Sequence, residues 1–251
     1  MLPARTAAGI GSQSAARYDR FSMLKVELHS HTDRDPLDLV SHSAEGLIDR
    51  AAALGYHALA ITLHNRYTDG AEAAAYARER GIVLIPGIER TVARRHVLLI
   101  NFPETCAAVR TFDDIAALKR SSRGLVIAPH PFYPIPSALG ADLERRPELF
   151  DAVEVNSMYT RLVNFNARAI RWARKHRKPL VGSTDLHMLE QMGTTYTLVD
   201  AEPDAEAICE AIRAGRVEVR TEPLSTLRAG WVAGHMIGRD LMKMTTRVWR
   251  R

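Results

Sequence analysis

From Leu24 onward, short apolar runs alternate with longer stretches in which apolar residues recur every three or four positions. Runs of four to eight such residues read as strands, and the 3.6-period stretches read as amphipathic helices. LKVEL is a strand, followed by the helix SAEGLIDRAAALG with Ser43 as its N-cap and Gly55 at its stop. The strand ALAIT leads to the helix DGAEAAAYARERG, which Gly81 ends. IVLIPGIE and HVLLINF are two strands joined by the basic link RTVARR. FDDIAALKRSSRG is a helix with Asp113 and Asp114 in its first turn. The strand LVIAPH, a Pro-rich loop and a short helix near DLERRPELF come next. AVEVN precedes the helix NFNARAIRWARKHRK, and PLVGSTD, YTLVD, the helix DAEAICEAIRAG and VEVRT close the series. Apolar strands alternating with helices predict a parallel α/β domain with its helices outside, about seven barrel-like strands over residues 23–228.

The two ends differ from this body. Residues 1–22 are rich in Ala, Ser, Gly and Arg, with Asp19 as the acidic residue. They lack the apolar stretch of a secretory signal and read as a disordered extension ahead of Met23. Residues 229–251 read as a basic amphipathic helix. Trp231, Met236, Ile237, Leu241, Met244 and Val248 share a face, and Arg239, Lys243, Arg247, Arg250 and Arg251 supply the charge. That apolar face is expected to dock on the body.

Composition narrows the class. A chain of 251 residues that is 46% hydrophobic can bury a large core. The formal charge is +5, with much of the excess at the ends, which fits a solvated basic surface or attraction to anionic substrates. The two cysteines, Cys106 and Cys209, lie outside any CxxC pattern and read as buried small hydrophobes. This is compatible with a reducing cytoplasm, the expected location. No run approaches about 18 apolar residues, so no transmembrane helix is expected.

The chemistry gathers at the ends of the apolar runs. Six of the ten histidines stand there: His29, His31, His64, His130 and His187 at the ends, and His96 at the start of HVLLINF. Glu89 ends IVLIPGIE, and Asp185 lies two residues before His187. Residues two apart on a continuing strand face the same way, so His29 with His31 and Asp185 with His187 can each serve one ion. In an α/β barrel the carboxyl ends of the strands form the active site. Nitrogen and carboxylate ligands without cysteine suit Zn²⁺, Mn²⁺ or Fe²⁺. GxSxG, P-loop and reactive-cysteine motifs are absent, which argues against a covalent nucleophile.

Taken in order, HSHT, ITLH, GIE, APHP and STDLH resemble the PHP (polymerase and histidinol phosphatase) family across about Leu24 to Asp200. The segments APHPFYP, VEVNSMY and VGSTDLH are similar to its stand-alone phosphoesterase members. The resemblance implies a distorted (β/α)7 TIM-like barrel holding two or three divalent ions at its mouth. His29, His31, His64, Glu89, His96, His130, Asp185 and His187 would be ligands, with Glu89, His130 and Asp185 central to catalysis. There are two departures. Relatives carry Asp before the second-strand histidine, where this chain has Leu63. They also carry SDG after the first HxH, where it reads DRDPLD. Asp35 is the nearest substitute as a ninth ligand, with Asp33 and Asp38 as competitors.

The expected reaction is hydrolysis of a phosphomonoester, a nucleotide or an oligonucleotide end, with clustered ions supplying hydroxide near neutral pH. Arg90, Arg95 and Arg161 are candidates to grip phosphate. Asn156 and Tyr133 are further candidate substrate contacts. A barrel amidohydrolase is a second reading, but such enzymes often use a bridging carboxylated lysine. HVLLINF and LVIAPH contain no lysine, whereas Glu89 offers a carboxylate. A non-catalytic metal-binding module is a third reading, resting on Leu63 and the altered aspartate loop.

Overall fold

In this computed structural model, residues 23–68, 71–235 and 238 are described. The extension over residues 1–22 and most of the basic C-terminal segment therefore lie outside the described residues.

The strand runs form two five-stranded sheets. The first contains β1 (Leu24–Glu27), β2 (Ala58–Ala60), β3 (Val83–Ile85), β9 (Thr195–Val199) and β10 (Val217–Thr221), in the order β10-β9-β1-β2-β3. The second contains β4 (Gly87–Val92), β5 (Arg95–Ile100), β6 (Leu125–Ala128), β7 (Ala152–Asn156) and β8 (Leu180–Ser183), in chain order. The helices are α1 (Ala44–Ala53), α2 (Ala71–Glu79), α3 (Phe112–Ser121), α4 (Ala141–Arg145), α5 (Asn166–His176) and α6 (Ala205–Arg213).

The alternating pattern predicts parallel strands throughout, and the structure departs from it in two places. β1, β2 and β3 are parallel, as are β6, β7 and β8. However, β5 runs antiparallel to β4 and β6, and β9 runs antiparallel to β1 and β10. The RTVARR link is the local cause at β4–β5. Its first three residues extend β4, and Ala93 and Arg94 turn the chain with φ of 47° and 69°. Two consecutive positive-φ residues make the tight hairpin whose twist matches paired antiparallel strands. The expected single strand IVLIPGIE is split at Pro86, so that β3 pairs with β2 while β4 pairs with β5. Proline has no amide to give to a ladder, and the chain changes sheets there.

The interior is shared. One buried cluster takes Val26 and Ile85 from the first sheet, Leu28 just past β1, and Leu98, Ile100 and Ile127 from the second sheet. The alternate residues of β5, Val97 and Leu99, pack outward with Phe112, Ile115 and Trp172 of α3 and α5. A strand buried on both faces reads as an unbroken apolar run, as HVLLINF does. Both cysteines are buried in these clusters as free thiols.

The sheets meet at two parallel bridges, Ser30 with Leu186 and His64 with Glu89. Ser30 lies between His29 and His31, and Leu186 lies between Asp185 and His187. The seams of the fold therefore run through the candidate ligands.

The C-terminal helix begins at residue 226, ahead of its expected start, because the Ser225 hydroxyl caps it by accepting from the Arg228 amide at 3.2 Å. Val232 is buried, whereas Trp231, the described member of the expected apolar face, is 46% exposed, and the rest of that face lies outside the described residues. No helix of the described residues is long and apolar enough to cross a membrane.

Candidate metal centre

Glu89 stands at the centre of a ring of imidazoles. Going round, His29, His31, His64, His96 and His130 have successive ring-centroid separations of 5.3, 4.6, 5.0 and 5.7 Å, and His130 returns to His29 at 5.8 Å. The two Glu89 oxygens face different members. Oε2 lies 3.4 Å from His29 Nε2, 3.5 Å from His31 Nε2 and 3.0 Å from His64 Nε2. Oε1 lies 2.7 Å from His96 Nδ1 and 3.4 Å from His130 Nε2. Asp185 faces three of these histidines and His187 as well. Its Oδ1 is 3.3 and 3.5 Å from His29 and His31 Nε2 and 3.6 Å from His187 Nδ1, and its Oδ2 is 4.0 Å from His130 Nε2. Backbone shape aims two of these side chains, since His130 and Asp185 adopt φ of 30° and 54°. That region is costly for residues other than glycine and is held by the surrounding structure.

This donor set fits divalent ions. His29 Nε2, His31 Nε2 and both Glu89 oxygens are buried without a hydrogen-bond partner. Buried polar atoms are ordinarily paired, so four orphans aimed at one another call for a cation between them. The spacing agrees with that reading. Ligands about 2.1 Å from a tetrahedral ion sit about 3.4 Å apart. Among the described residues five groups of three ligand atoms arise, and Glu89 and Asp185 each belong to two.

The electrostatics point the same way. Burial lowers the His29 and His64 pKa values and raises those of Glu89 and Asp185, but mutual attraction outweighs it. The Asp185, Glu89 and Glu154 carboxylates hold His29 well above the usual imidazole range. Glu89 and Asp35 push His64 up to about 11. His130 and His187 are likewise raised against burial, His130 by Glu89, Asp185 and Glu154, His187 by Asp38 and Asp185. The imidazoles in turn hold Glu89 and Asp185 well below the ordinary carboxylate range.

A second set of carboxylates stands behind the histidines. Asp35 Oδ2 accepts from Nδ1 of His31 at 2.8 Å and of His64 at 3.1 Å, on the side of each ring away from Glu89. Glu154, fully buried on β7, meets His29 Nδ1 at 2.8 Å and also accepts from the His130 amide and the Ser183 hydroxyl. Glu27, fully buried on β1, accepts from the amides of Leu28, His29 and Thr184, and burial raises its pKa to about 7. Asp38 lies 2.7 Å from His187 Nε2 and 3.5 Å from His64 Nδ1. Asp33 donates its amide to the His42 carbonyl. Sequence reasoning passed over Glu27 and Glu154. The available signal was an acidic residue inside an apolar run, VEL and VEV, where no charge belongs without a partner.

The candidate substrate contacts divide. Arg90 points away from Glu89, since neighbours on a strand face opposite sides. Its guanidinium donates to the Val109 carbonyl and to Asn65 Oδ1, both at 2.6 Å. Arg95 donates to Asp142 at 3.1 Å and to the Pro136 carbonyl at 2.6 Å, tethering the Pro-rich loop. Asn156 is buried, with Nδ2 near Glu154 Oε2 at 3.3 Å and Oδ1 accepting from the Met158 amide. Tyr133 lies beside His130, with ring centroids 6.4 Å apart. Arg161 is exposed on the loop after β7.

Comparison with known proteins finds relatives in sequence and in fold. A family model described as PHP-associated matches residues 163–217. DNA polymerase III PolC-type of Lactococcus lactis is 30% identical over 84 residues, 34% of this chain and 5% of the polymerase. The chain thus spans a small fraction of the polymerase it resembles. An uncharacterized protein of Methanocaldococcus jannaschii is 29% identical over 154 residues, 55% of this chain and 84% of that protein. A two-domain protein of Bacteroides vulgatus, described as containing a predicted PHP-like metal-dependent phosphoesterase, has a similar fold. It gives a TM-score of 0.61 at 18% identity, over 88% of this chain and 70% of that one.

Proposed function

The chain belongs to the PHP family, and we propose that it is a metal-dependent phosphoesterase that hydrolyses a small phosphomonoester or a nucleotide-type substrate. The observation that carries this reading is the Glu89 carboxylate, whose two oxygens face two separate sets of imidazoles. A carboxylate in that position can bridge two cations.

His29, His31, His64, His96, His130, His187, Glu89 and Asp185 would hold two or three ions of the Mn²⁺, Zn²⁺ or Fe²⁺ kind. Such ions supply hydroxide near neutral pH and neutralise charge on phosphate oxygens. The chain's own part is to orient. Asp35 keeps the protons of His31 and His64 on Nδ1, so that Nε2 of each stays free to face Glu89. Glu154 does the same for His29 and pins the His130 backbone. Asp35 is on this reading a positioning residue and not the ninth ligand. Arg161 is available for an anionic substrate, whereas Arg90 and Arg95 brace the surrounding loops. The accompanying fold reading is a distorted seven-stranded barrel of β1, β2, β4, β5, β6, β7 and β8, with β3, β9 and β10 outside the ring. The shared interior cluster and the two seams support it.

The test is metal analysis together with turnover of a phosphoester panel, with and without Mn²⁺. The expected result is more than one divalent ion per chain and metal-dependent release of phosphate. Protein that takes up no divalent ion, or that is metal-loaded and cleaves no phosphoester, would sink the proposal.

A further inference from the structure

The exposed apolar surface of this chain is unevenly placed. Among the described residues eight large apolar side chains are exposed, and six of them are Leu37, Leu39, Ile135, Leu162, Val163 and Phe165. These six lie on the loops after β1, β6 and β7, at the strand ends that lead to His29, His31, His130 and Asn156. Single exposed apolar residues are ordinary, but a group gathered round one mouth marks a contact surface.

One part of that rim begins at a candidate ligand. The Tyr133 ring stands edge-on to the His130 ring at 6.4 Å, and the Phe165 ring lies 5.3 Å beyond Tyr133. The Tyr133 hydroxyl donates to the Met158 carbonyl at 3.0 Å and approaches Asn166 Oδ1 at 3.4 Å, which ties the loop after β6 to the loop after β7. Tyr133 and Phe165 therefore form a fixed aromatic shelf that runs outward from the cluster. Phe165 is 37% exposed, and Leu162 on the same loop is 84% exposed.

We infer that this shelf receives the leaving group of the phosphoester, and that the leaving group is flat and apolar, an aromatic alcohol in chemical class. The inference rests on the phosphoesterase reading. The anionic phosphoryl group belongs with the cations and imidazoles, so the group esterified to it must project through the mouth. On the Tyr133 side it meets ring faces and aliphatic side chains. A polyol would lose water from its hydroxyls there, whereas an aromatic ring gains an offset-stacked or edge-on partner.

The experiment compares kcat/KM of the manganese-loaded chain for 1-naphthyl phosphate and glycerol 2-phosphate, in the intact protein and in Phe165→Ala. Comparing the ratio between proteins cancels the intrinsic reactivity of the two esters. The naphthyl-over-glycerol ratio should fall about tenfold in the variant, the scale of one lost aromatic partner. Phe165→Leu retains bulk at the start of α5 without the ring and should show most of the same fall, so a folding defect in the alanine variant does not decide the matter. Binding of 1-naphthyl phosphonate, followed by its fluorescence anisotropy, needs no turnover and should weaken in both variants. Turnover of both esters with a ratio unchanged in either variant overturns the shelf, as does phosphonate binding that neither variant alters. Phosphonate binding that both variants weaken, with neither ester cleaved, upholds the shelf and refutes the phosphoesterase reading.

Discussion

Replacing Asp35 by Asn separates a carboxylate that orients two imidazoles from one that binds an ion. Oδ2 accepts from His31 Nδ1 at 2.8 Å, His64 Nδ1 at 3.1 Å and the His64 amide at 2.9 Å. Oδ1 accepts from the amides of Leu37 and Asp38 at 2.8 and 2.9 Å. All five partners are donors. Asparagine offers one oxygen and one NH2 group, so one set meets another donor whichever way the amide turns. If the NH2 faces the imidazoles, His31 and His64 must carry their protons on Nε2, the atom that faces Glu89. If it faces the loop, the turn from Asp35 to Asp38 opens. A lost orienting partner typically costs ten- to a hundredfold in metal affinity. With two imidazoles affected, the expected loss is about a hundredfold, or about 2.8 kcal/mol. Competition titration of Zn²⁺ or Mn²⁺ against a chromophoric chelator measures it. The number of ions at saturation should stay as in the parent, because no ligand is removed. A reduced ion count would make Asp35 a ligand, and an affinity within about threefold of the parent would refute the orienting role altogether.

Three further outcomes follow from the same geometry. Glu89→Gln should lower metal-dependent hydrolysis by more than the roughly hundredfold ceiling for an outer partner, with the circular dichroism spectrum unchanged. Near-normal turnover at saturating metal would exclude a bridging role. Metal binding should release protons and tighten as pH rises, because His29, His64, His130 and His187 are held above the ordinary imidazole range and bind an ion only when neutral. The sign reverses for the chelator-treated chain. A raised folded pKa contributes stability that is fully present below about 6.5 and is lost as pH climbs toward the folded value, about 11 for His64. Its melting temperature should therefore fall from pH near 7 to pH near 9. Calorimetry in buffers of different ionisation enthalpy, with thermal melts, checks both, and a binding heat independent of buffer would count against the protonated imidazoles.

Much of the fold was legible because strands and helices carry different periods. HVLLINF reads as doubly buried, and it packs inward through Leu98 and Ile100 and outward through Val97 and Leu99. Strand direction there was carried by the link and not by the periodicity. The pattern of β4 and β5 is the same for either orientation, but a link as short as RTVARR joins paired neighbours only as an antiparallel hairpin, and Ala93 and Arg94 make its turn. Pro86 was the visible sign that IVLIPGIE could not be one central strand.

The innermost groups of the site were legible for a related reason. A strand end is a rigid position, so His29, His31, His64, Glu89, His130 and Asp185 could be expected to converge from the sequence order alone. What lies behind them depends on loop geometry. Leu63 illustrates this. Its side chain faces the apolar cluster with Leu47, Ile48 and Ala77, where an aspartate would be buried among hydrocarbon. The carboxylate beside His64 comes instead from Asp35, carried there by a loop that follows a different strand. One such residue serves two histidines because the parallel pairing of β1 with β2 continues past the strand ends, where the Thr62 amide donates to the Ser30 carbonyl at 2.8 Å and the His31 and His64 rings stack 4.6 Å apart. The aspartate that relatives carry next to the second histidine can therefore be absent here without leaving its imidazole unoriented.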